Sequence, residues 1–107
     1  MGMDFMLYSA RNREVFKHER WYDSPQVQEE FYSRKAWHFV EDCPFIPNSE
    51  EDCPVEITQE NLEDMIKVAC ARRNYFDTYD DVPKLCELRD KYEELKEEEK
   101  KLFCLYG

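Results

Sequence analysis

Seven carboxylates and no lysine or arginine lie between residues 50 and 64 of this chain. They are Glu50, Glu51, Asp52, Glu56, Glu60, Glu63 and Asp64. Carboxylates at this density repel one another and destabilise a compact state, while they attract cationic surfaces over about a Debye length. We therefore interpret the acidic run, as we call these seven residues, as charge that either serves to bind a cationic partner or is harmless to folding.

The acidic run belongs to a wider charge bias, since the 107 residues carry a net charge of −10. Residues 1–43 have six bases and eight acids (net −2), and residues 44–107 have nine bases and seventeen acids (net −8). Proteins that bind nucleic acid normally present a basic footprint that displaces counterions from phosphates. The sequence therefore argues against DNA or RNA as a direct ligand, and a basic protein groove that normally holds nucleic acid is a more natural match. Composition alone, however, favours the alternative that the charge serves solubility.

Aromatic residues predict that the chain folds, although 37% of its residues are charged. Seven Phe, seven Tyr and two Trp supply large apolar side chains, and 42% of all residues are hydrophobic. A charged chain without such side chains would tend to remain disordered. A chain of this length buries roughly two-thirds of its unfolded surface in one core. We expect a single domain over residues 1–107.

Cysteine usage and the start of the chain predict a cytoplasmic protein with reduced thiols. The five cysteines are an odd number with no close pair: Cys43, Cys53, Cys70, Cys86 and Cys104. The first ten residues lack the basic start and apolar core of a signal peptide, and no apolar run has transmembrane length. We expect most of the cysteines to act as small core residues.

The first half of the chain predicts one strand and one helix. Residues 3–9 are short, apolar and aromatic, which indicates a buried strand. Residues 11–24 mix charges and aromatic side chains, which fits either a second strand or a structured loop. Ser24 and Pro25 form an N-cap and first-turn pair, and the apolar spacing that follows predicts a helix over residues 25–42.

The second half predicts a proline-rich loop at residues 43–54 and then two more helices. Thr58 caps the second helix, whose apolar face consists of Leu62, Met65, Ile66 and Ala69. Asp81 caps the third helix, whose 3–4 spacing consists of Leu85, Leu88, Tyr92, Leu95 and Leu102. The fold class is α+β, with a short N-terminal strand or small sheet packed against about three helices.

The last residues are apolar, which is unusual for a chain terminus. The segment contains Leu102, Phe103, Leu105 and Tyr106 around Cys104. Two interpretations remain open: the segment docks into the core, or it makes a contact, for example in a homodimer.

Catalytic and metal-binding patterns are weak. His18 lies among charged residues and His38 follows Trp37 on an aromatic helix face, so structural or surface roles are favoured over catalysis for both. Cys43 and Cys53 are separated by nine residues with no second pair, which does not match a zinc finger. The only glycines are Gly2 and Gly107, which argues against calcium loops and phosphate-cradling loops. We predict no catalytic residue, metal or cofactor.

Two segments resemble a family of small uncharacterised proteins of bacteriophages and prophages. Its members begin Met-Gly-Leu-Asp-Met-Tyr-Leu, and residues 1–7 here read MGMDFML. Members later show Tyr-Trp-Arg-Lys-Ala-Asn followed by Ile-His and Trp-Phe, and residues 32–39 here read YSRKAWHF. Ser33 and Trp37 replace Trp and Asn, and His38 falls two places early. The resemblance implies a phage or mobile-element protein that acts in bacterial cytoplasm, similar to inhibitors of host defence such as anti-CRISPR proteins and DNA mimics.

We therefore predict a non-enzymatic inhibitor that binds a basic surface of a host nucleic-acid-handling protein, such as a CRISPR effector. Its expected contacts are the acidic run, with a second patch formed by Asp77, Asp80 and Asp81. The alternative hypothesis is a small enzyme or ligand-binding protein. Its site would use Asp4, Arg34, Lys35 and His38, with Asp4 paired to Arg34 across the core or serving only to fix the fold.

Overall fold

The computed structural model describes residues 4–34, 37–72 and 81–106. These residues contain one four-stranded antiparallel sheet and three α-helices. The strands are β1 (Phe5–Ala10), β2 (Gln28–Ser33), β3 (Val55–Ile57) and β4 (Lys101–Tyr106). The helices are α1 (Trp37–Asp42), α2 (Gln59–Arg72) and α3 (Asp81–Glu97). The strand order is β2-β1-β4-β3. The predicted α+β class is confirmed.

The apolar segment near the C-terminus is the strand β4, which lies between β1 and β3. Its register with β1 runs from Phe5 opposite Tyr106 to Ala10 opposite Lys101. Leu102, Phe103 and Tyr106 are buried within the chain, and Leu105 is half-buried. The segment therefore docks into the core, as one of the two interpretations held, and the homodimer stays a prediction.

The two faces of the sheet pack against different parts of the chain. On one face, Phe5, Leu7 and Leu102 join the main core with buried side chains of all three helices. On the other face, Tyr8 and Phe103 meet a separate aromatic cluster from residues 11–27. That segment contains the 3-10 helices Arg13–Lys17 and Trp21–Asp23, so it is a structured loop and not a strand. The rings of Phe16 and Phe103 lie 5.3 Å apart.

The predicted helix over residues 25–42 is wrong, because this segment contains β2 and only then the short helix α1. The Ser24 hydroxyl does accept a hydrogen bond from the Gln26 amide (3.2 Å), and the Val27 amide donates to the Ser24 carbonyl (3.2 Å). These bonds close a single turn that leads into β2. There Phe31 and Ser33 are both buried, at the two-residue spacing of a strand. Pairing with β1 overrides the weak helical spacing.

The predictions for α2 and α3 are confirmed. Thr58 Oγ1 accepts a hydrogen bond from the Asn61 amide (3.1 Å), and Asn61 Oδ1 accepts one from the Thr58 amide (3.0 Å). This reciprocal cap starts α2 as a capping box does. The predicted apolar face of α2 is buried as a set. In α3 the predicted spacing holds as far as Leu95, whereas Leu102 belongs to β4.

The end of α3 is a Schellman motif with a glutamate where glycine is favoured. The Lys100 amide donates to the Leu95 carbonyl (2.8 Å), and the Glu99 amide donates to the Lys96 carbonyl (3.0 Å). Glu99 has φ of 60°. A side chain with a Cβ is unfavourable in this left-handed region by about 1–2 kcal/mol.

Replacing this residue should stabilise the protein. We expect Glu99→Gly to raise the free energy of unfolding by about 1 kcal/mol, because glycine adopts the left-handed conformation without steric cost. Urea unfolding followed by circular dichroism measures this difference. The control is Glu97→Gly, which should lower stability by about 1 kcal/mol because Glu97 is helical. Equal losses in both variants would contradict the assignment of the cap.

Candidate protein-binding surface

The acidic run does not form one surface, because its residues lie on three different elements. Glu51 and Asp52 are exposed on the 3-10 helix Glu50–Asp52, Glu56 is exposed on β3, and the other three described acids begin α2. Glu56 pairs with Phe103 in the sheet register, so it belongs to the face opposite the helices. The Glu50 side chain and the residues Asp77 and Asp80 lie outside the described residues.

Two members of the acidic run are neutralised by bases from distant parts of the chain. Glu56 lies 3.4 Å from the Lys101 ammonium, and Glu63 lies 3.6 Å from the Arg89 guanidinium. Within residues 4–34, 37–72 and 81–106, the remaining described acids of the run make no ion pair. These are Glu51, Asp52, Glu60 and Asp64. Glu60 and Asp64 are four residues apart on α2, so two like charges are neighbours there.

Asp81, which was predicted to contact a partner, is buried and has a structural role. It is 8% exposed, and its Oδ2 accepts a hydrogen bond from the Ser33 hydroxyl (3.0 Å). This bond joins the first turn of α3 to the end of β2. A carboxylate near a helix N-terminus is also favoured by the helix dipole. Asp81 is therefore removed from the set of predicted partner contacts.

A second row of acids lies along α3. Its members are exposed at spacings of three and four residues: Glu87, Asp90, Glu94 and Glu97. At 1.5 Å per residue and 3.6 residues per turn, they form one stripe about 15 Å long. These residues were not among the predicted contacts, although acids at spacings of three and four residues indicate a stripe along one side of a helix.

Two of the four bases of α3 contact acids at the sides of this stripe, whereas Lys84 is exposed three residues before Glu87 and Lys96 pairs with Glu93 at 3.9 Å. Lys91 binds Glu30 on β2 at 2.8 Å, and Arg89 lies near Glu63 on α2 at 3.6 Å. Arg89 is also 3.5 Å from Asp90, so one guanidinium joins the acids of α2 to those of α3. We call the combined set the acidic surface: Glu60, Glu63, Asp64, Glu87, Asp90, Glu94 and Glu97.

The alternative ligand site does not come together as predicted. Arg34 is exposed; a hydrogen bond with Tyr32 raises the pKa of Arg34, and the charges of Tyr32 and Asp4 add to this effect. Asp4 and Arg34 each adjoin the Phe5–Ser33 pair, so they are neighbours at the sheet end and not across the core. His38 is fully buried, with its ring 4.1 Å from that of Phe39. Lys35 lies outside the described residues.

A nearly buried polar network, which the sequence analysis missed, ties the sheet to α3. The register between β1 and β2 shifts after Leu7, which leaves Glu30 as an extra residue in β2. The Glu30 side chain is only 5% exposed; it accepts a hydrogen bond from the Ser9 hydroxyl (2.9 Å) and binds Lys91. Because Ser9 is fully buried, the network fixes β1, β2 and α3 to one another, and its outer side faces a cleft of about 190 Å³ lined by Glu30, Lys84, Glu87, Leu88 and Lys91.

Two clefts lie away from both predicted sites. One, of about 600 Å³, is lined by Arg11, Asn12, Pro25, Gln26 and Lys100. The other, of about 360 Å³, is lined by Arg13, Glu14, Phe16, Lys17, Cys53 and Pro54. In the part of the chain that the structure describes, no three His, Cys, Asp or Glu side chains are grouped as metal ligands. No described helix combines the length and apolar character needed to cross a bilayer.

Comparisons with protein-family models, curated proteins and solved structures gave no match to this chain.

The buried Cys43 thiol makes stability depend on pH. Burial, followed by the charges of Asp42 and Asp64, raises the pKa of Cys43 from 9.0 to about 12. The folded chain thus keeps a proton that the unfolded chain loses above pH 9. Unfolded chains then bind fewer protons than folded ones, so stability falls as pH rises, by at most about 1.4 kcal/mol per pH unit.

Removing this thiol should weaken the pH dependence. We expect the loss of unfolding free energy between pH 8 and pH 10 to be about 1 kcal/mol smaller in Cys43→Ala than in the parent protein. Urea unfolding at both pH values measures the difference. Cys70→Ser, at an exposed position, should keep the parent's pH dependence. The same loss in Cys43→Ala as in the parent would show that Cys43 does not cause it.

Proposed function

We propose that this chain is a non-enzymatic inhibitor that binds a basic surface of a nucleic-acid-handling protein through the acidic surface. The observation that carries the proposal is the stripe on α3, whose exposed acids share a surface with those of α2 while Arg89 and Lys91 contact acids at its sides. The phage-like segments at residues 1–7 and 32–39 favour a bacterial host protein as the target, such as a CRISPR effector.

The proposed mechanism is occupation of a groove that otherwise holds a phosphate backbone. Each strand of B-DNA carries one charge per roughly 3.4 Å of helix axis. Successive acids of the stripe are separated by about 4.5 or 6 Å along α3, which lets several carboxylates meet lysines and arginines of one groove. The complex would exclude nucleic acid by occupancy alone. Charge steering would make association fast and sensitive to salt.

The placement of charge supports this proposal over solubility alone. Solubility requires net charge but no particular arrangement of it. In the segment on the other face of the sheet, Glu14 pairs with Lys17 at 3.0 Å and Asp23 pairs with Arg20 at 2.8 Å. Across the described residues, by contrast, Glu87, Glu94 and Glu97 make no ion pair. Among the described residues, Glu19, Glu29, Glu51 and Asp52 also make no ion pair, but Glu87, Glu94 and Glu97 differ from them in sharing one face of a helix.

Two variants with the same net charge test the proposal. The first, E87Q/D90N/E94Q/E97Q, neutralises the stripe. The control, E14Q/E19Q/D23N/E29Q, neutralises four exposed acids elsewhere, and both variants change the net charge from −10 to −6. A partner is first captured from bacterial lysate at low salt, identified by mass spectrometry and purified. We expect the stripe variant to bind it about tenfold or more weakly and the control to bind almost as the parent does.

Binding experiments with the same purified partner test whether the chain competes with nucleic acid for one groove. Duplex DNA should compete with the parent protein for it, and affinity should fall steeply as salt rises. If both variants bound the partner equally weakly, net charge and not the arrangement of the acidic surface would determine the affinity. A partner whose binding is unaffected by DNA would exclude mimicry of nucleic acid.

A further inference from the structure

Two cysteines from distant parts of the chain meet at the edge of the sheet. Cys104 is fully buried in β4, and its partner in the register is Val55 on β3. Cys53 precedes Val55 by two residues, and its thiol is hydrogen-bonded with that of Cys104. Residues on neighbouring strands can form a disulfide only when their side chains converge in this way. Neither cysteine forms a disulfide in this structure.

The two thiols differ in their access to solvent. Cys53 is half-buried and lines the 360 Å³ cleft beside Arg13 and Lys17. Cys104 has no exposed surface. A reagent in the cleft would therefore reach Cys53 first, and Cys104 would remain behind it as the second thiol.

The acidity of Cys104 supports the same order. Its hydrogen bond with Cys53, together with burial, raises the pKa of Cys104 well above the ordinary value for a thiol. Thiolates and not thiols attack disulfides, so Cys104 is a poor first nucleophile.

We propose that Cys53 and Cys104 form a dithiol site that a low-molecular-weight, carboxylate-bearing disulfide, such as glutathione disulfide, oxidises to an intramolecular disulfide. The contact of the thiols and the cleft over Cys53 carry this inference. It is independent of the proposed inhibitor function, because neither cysteine belongs to α2 or α3.

The reaction consists of two thiol–disulfide exchanges. The Cys53 thiolate attacks one sulfur of glutathione disulfide, which forms a mixed disulfide on Cys53 and releases one glutathione thiolate. The Cys104 thiolate then attacks the Cys53 sulfur, forms the Cys53–Cys104 bond and releases the second glutathione thiolate. The two protons lost by the cysteines go to the two released thiolates. The cysteine pair loses two electrons and glutathione disulfide gains them.

The surroundings of Cys53 suit an anionic oxidant. Arg13 is an exposed cation at the cleft, where it would attract a carboxylate of glutathione disulfide, whereas Lys17 is paired with Glu14 of the same cleft at 3.0 Å. Phe16 and Pro54 supply apolar surface in the same cleft. The exposed Cys70 on α2 provides a comparison within the same chain, because it is accessible but lies outside this cleft.

The test uses the folded chain in a Cys70→Ser background, which prevents cross-links between molecules through the exposed thiol. The protein is incubated with glutathione disulfide at pH 8, alkylated and mapped by mass spectrometry without reduction. We expect one linked peptide pair containing Cys53 and Cys104, with the mass of two hydrogens lost, and reversal by dithiothreitol. In urea the preference for this pair should disappear, because the contact exists only in the folded chain.

Two variants identify the order of the steps. Cys53→Ser should abolish the intramolecular cross-link, and Cys104→Ala should stop the reaction at a stable glutathione adduct on Cys53. The proposal is overturned if the folded parent accumulates the Cys53 adduct while Cys104 remains alkylatable. A different pairing, or the same distribution of pairs in folded and urea-treated protein, would also overturn it. If Cys104→Ala does not fold, the Cys53→Ser variant and the disulfide-linked peptides mapped in the parent protein still test the proposal.

Discussion

The pairing of the first and last strands is the constraint on which the rest of this structure depends. β4 lies between β1 and β3, so every strand except β2 contacts it directly. The register brings Leu7 opposite Cys104 and Ser9 opposite Leu102. These residues lie on the face of the sheet that packs against the helices. Such contacts join residues almost a chain length apart, and their loop-closure entropy has to be overcome before the core forms.

This strand also determines where charges and thiols meet. Lys101 at the start of β4 neutralises Glu56, and Cys104 in its middle contacts Cys53. Neither contact is local in sequence. Although the chain has a net charge of −10, the Glu30 carboxylate, whose side chain is only 5% exposed, is not buried alone, because it binds Lys91 and the Ser9 hydroxyl. The acids without a base remain exposed, where water and salt weaken their repulsion.

The sequence predicted best where local and tertiary forces agree. Thr58 marks the start of α2 because its cap is made with Asn61 nearby, and the leucines of α3 follow one face over several turns. The prediction of a helix failed for β2, because the spacing of Val27 and Phe31 fits a helix as well as a strand. β3 has three residues and carries almost no periodic signal. Only pairing with β4 defines it.

The acidic run shows how far charge can be interpreted from a sequence. Its lack of bases is visible in the chain, but Lys101 and Arg89 reach it only through the fold. Conversely, the mixed Glu and Lys residues of α3 suggest local pairs, whereas Lys91 binds Glu30 on β2. The spacing of the acids on α3 was enough to predict the stripe. Which acids stay unneutralised depends on which acid each lysine or arginine contacts in the folded chain.

The geometry also separates the two proposals physically. The thiols of Cys53 and Cys104 already touch, so closing the disulfide requires no large movement of β4. The stripe lies on α3, whose position is fixed by the Glu30–Lys91 pair and by the Ser33–Asp81 hydrogen bond. Oxidation at the β3 edge therefore leaves these anchors in place, and the acidic surface should keep its arrangement in either redox state.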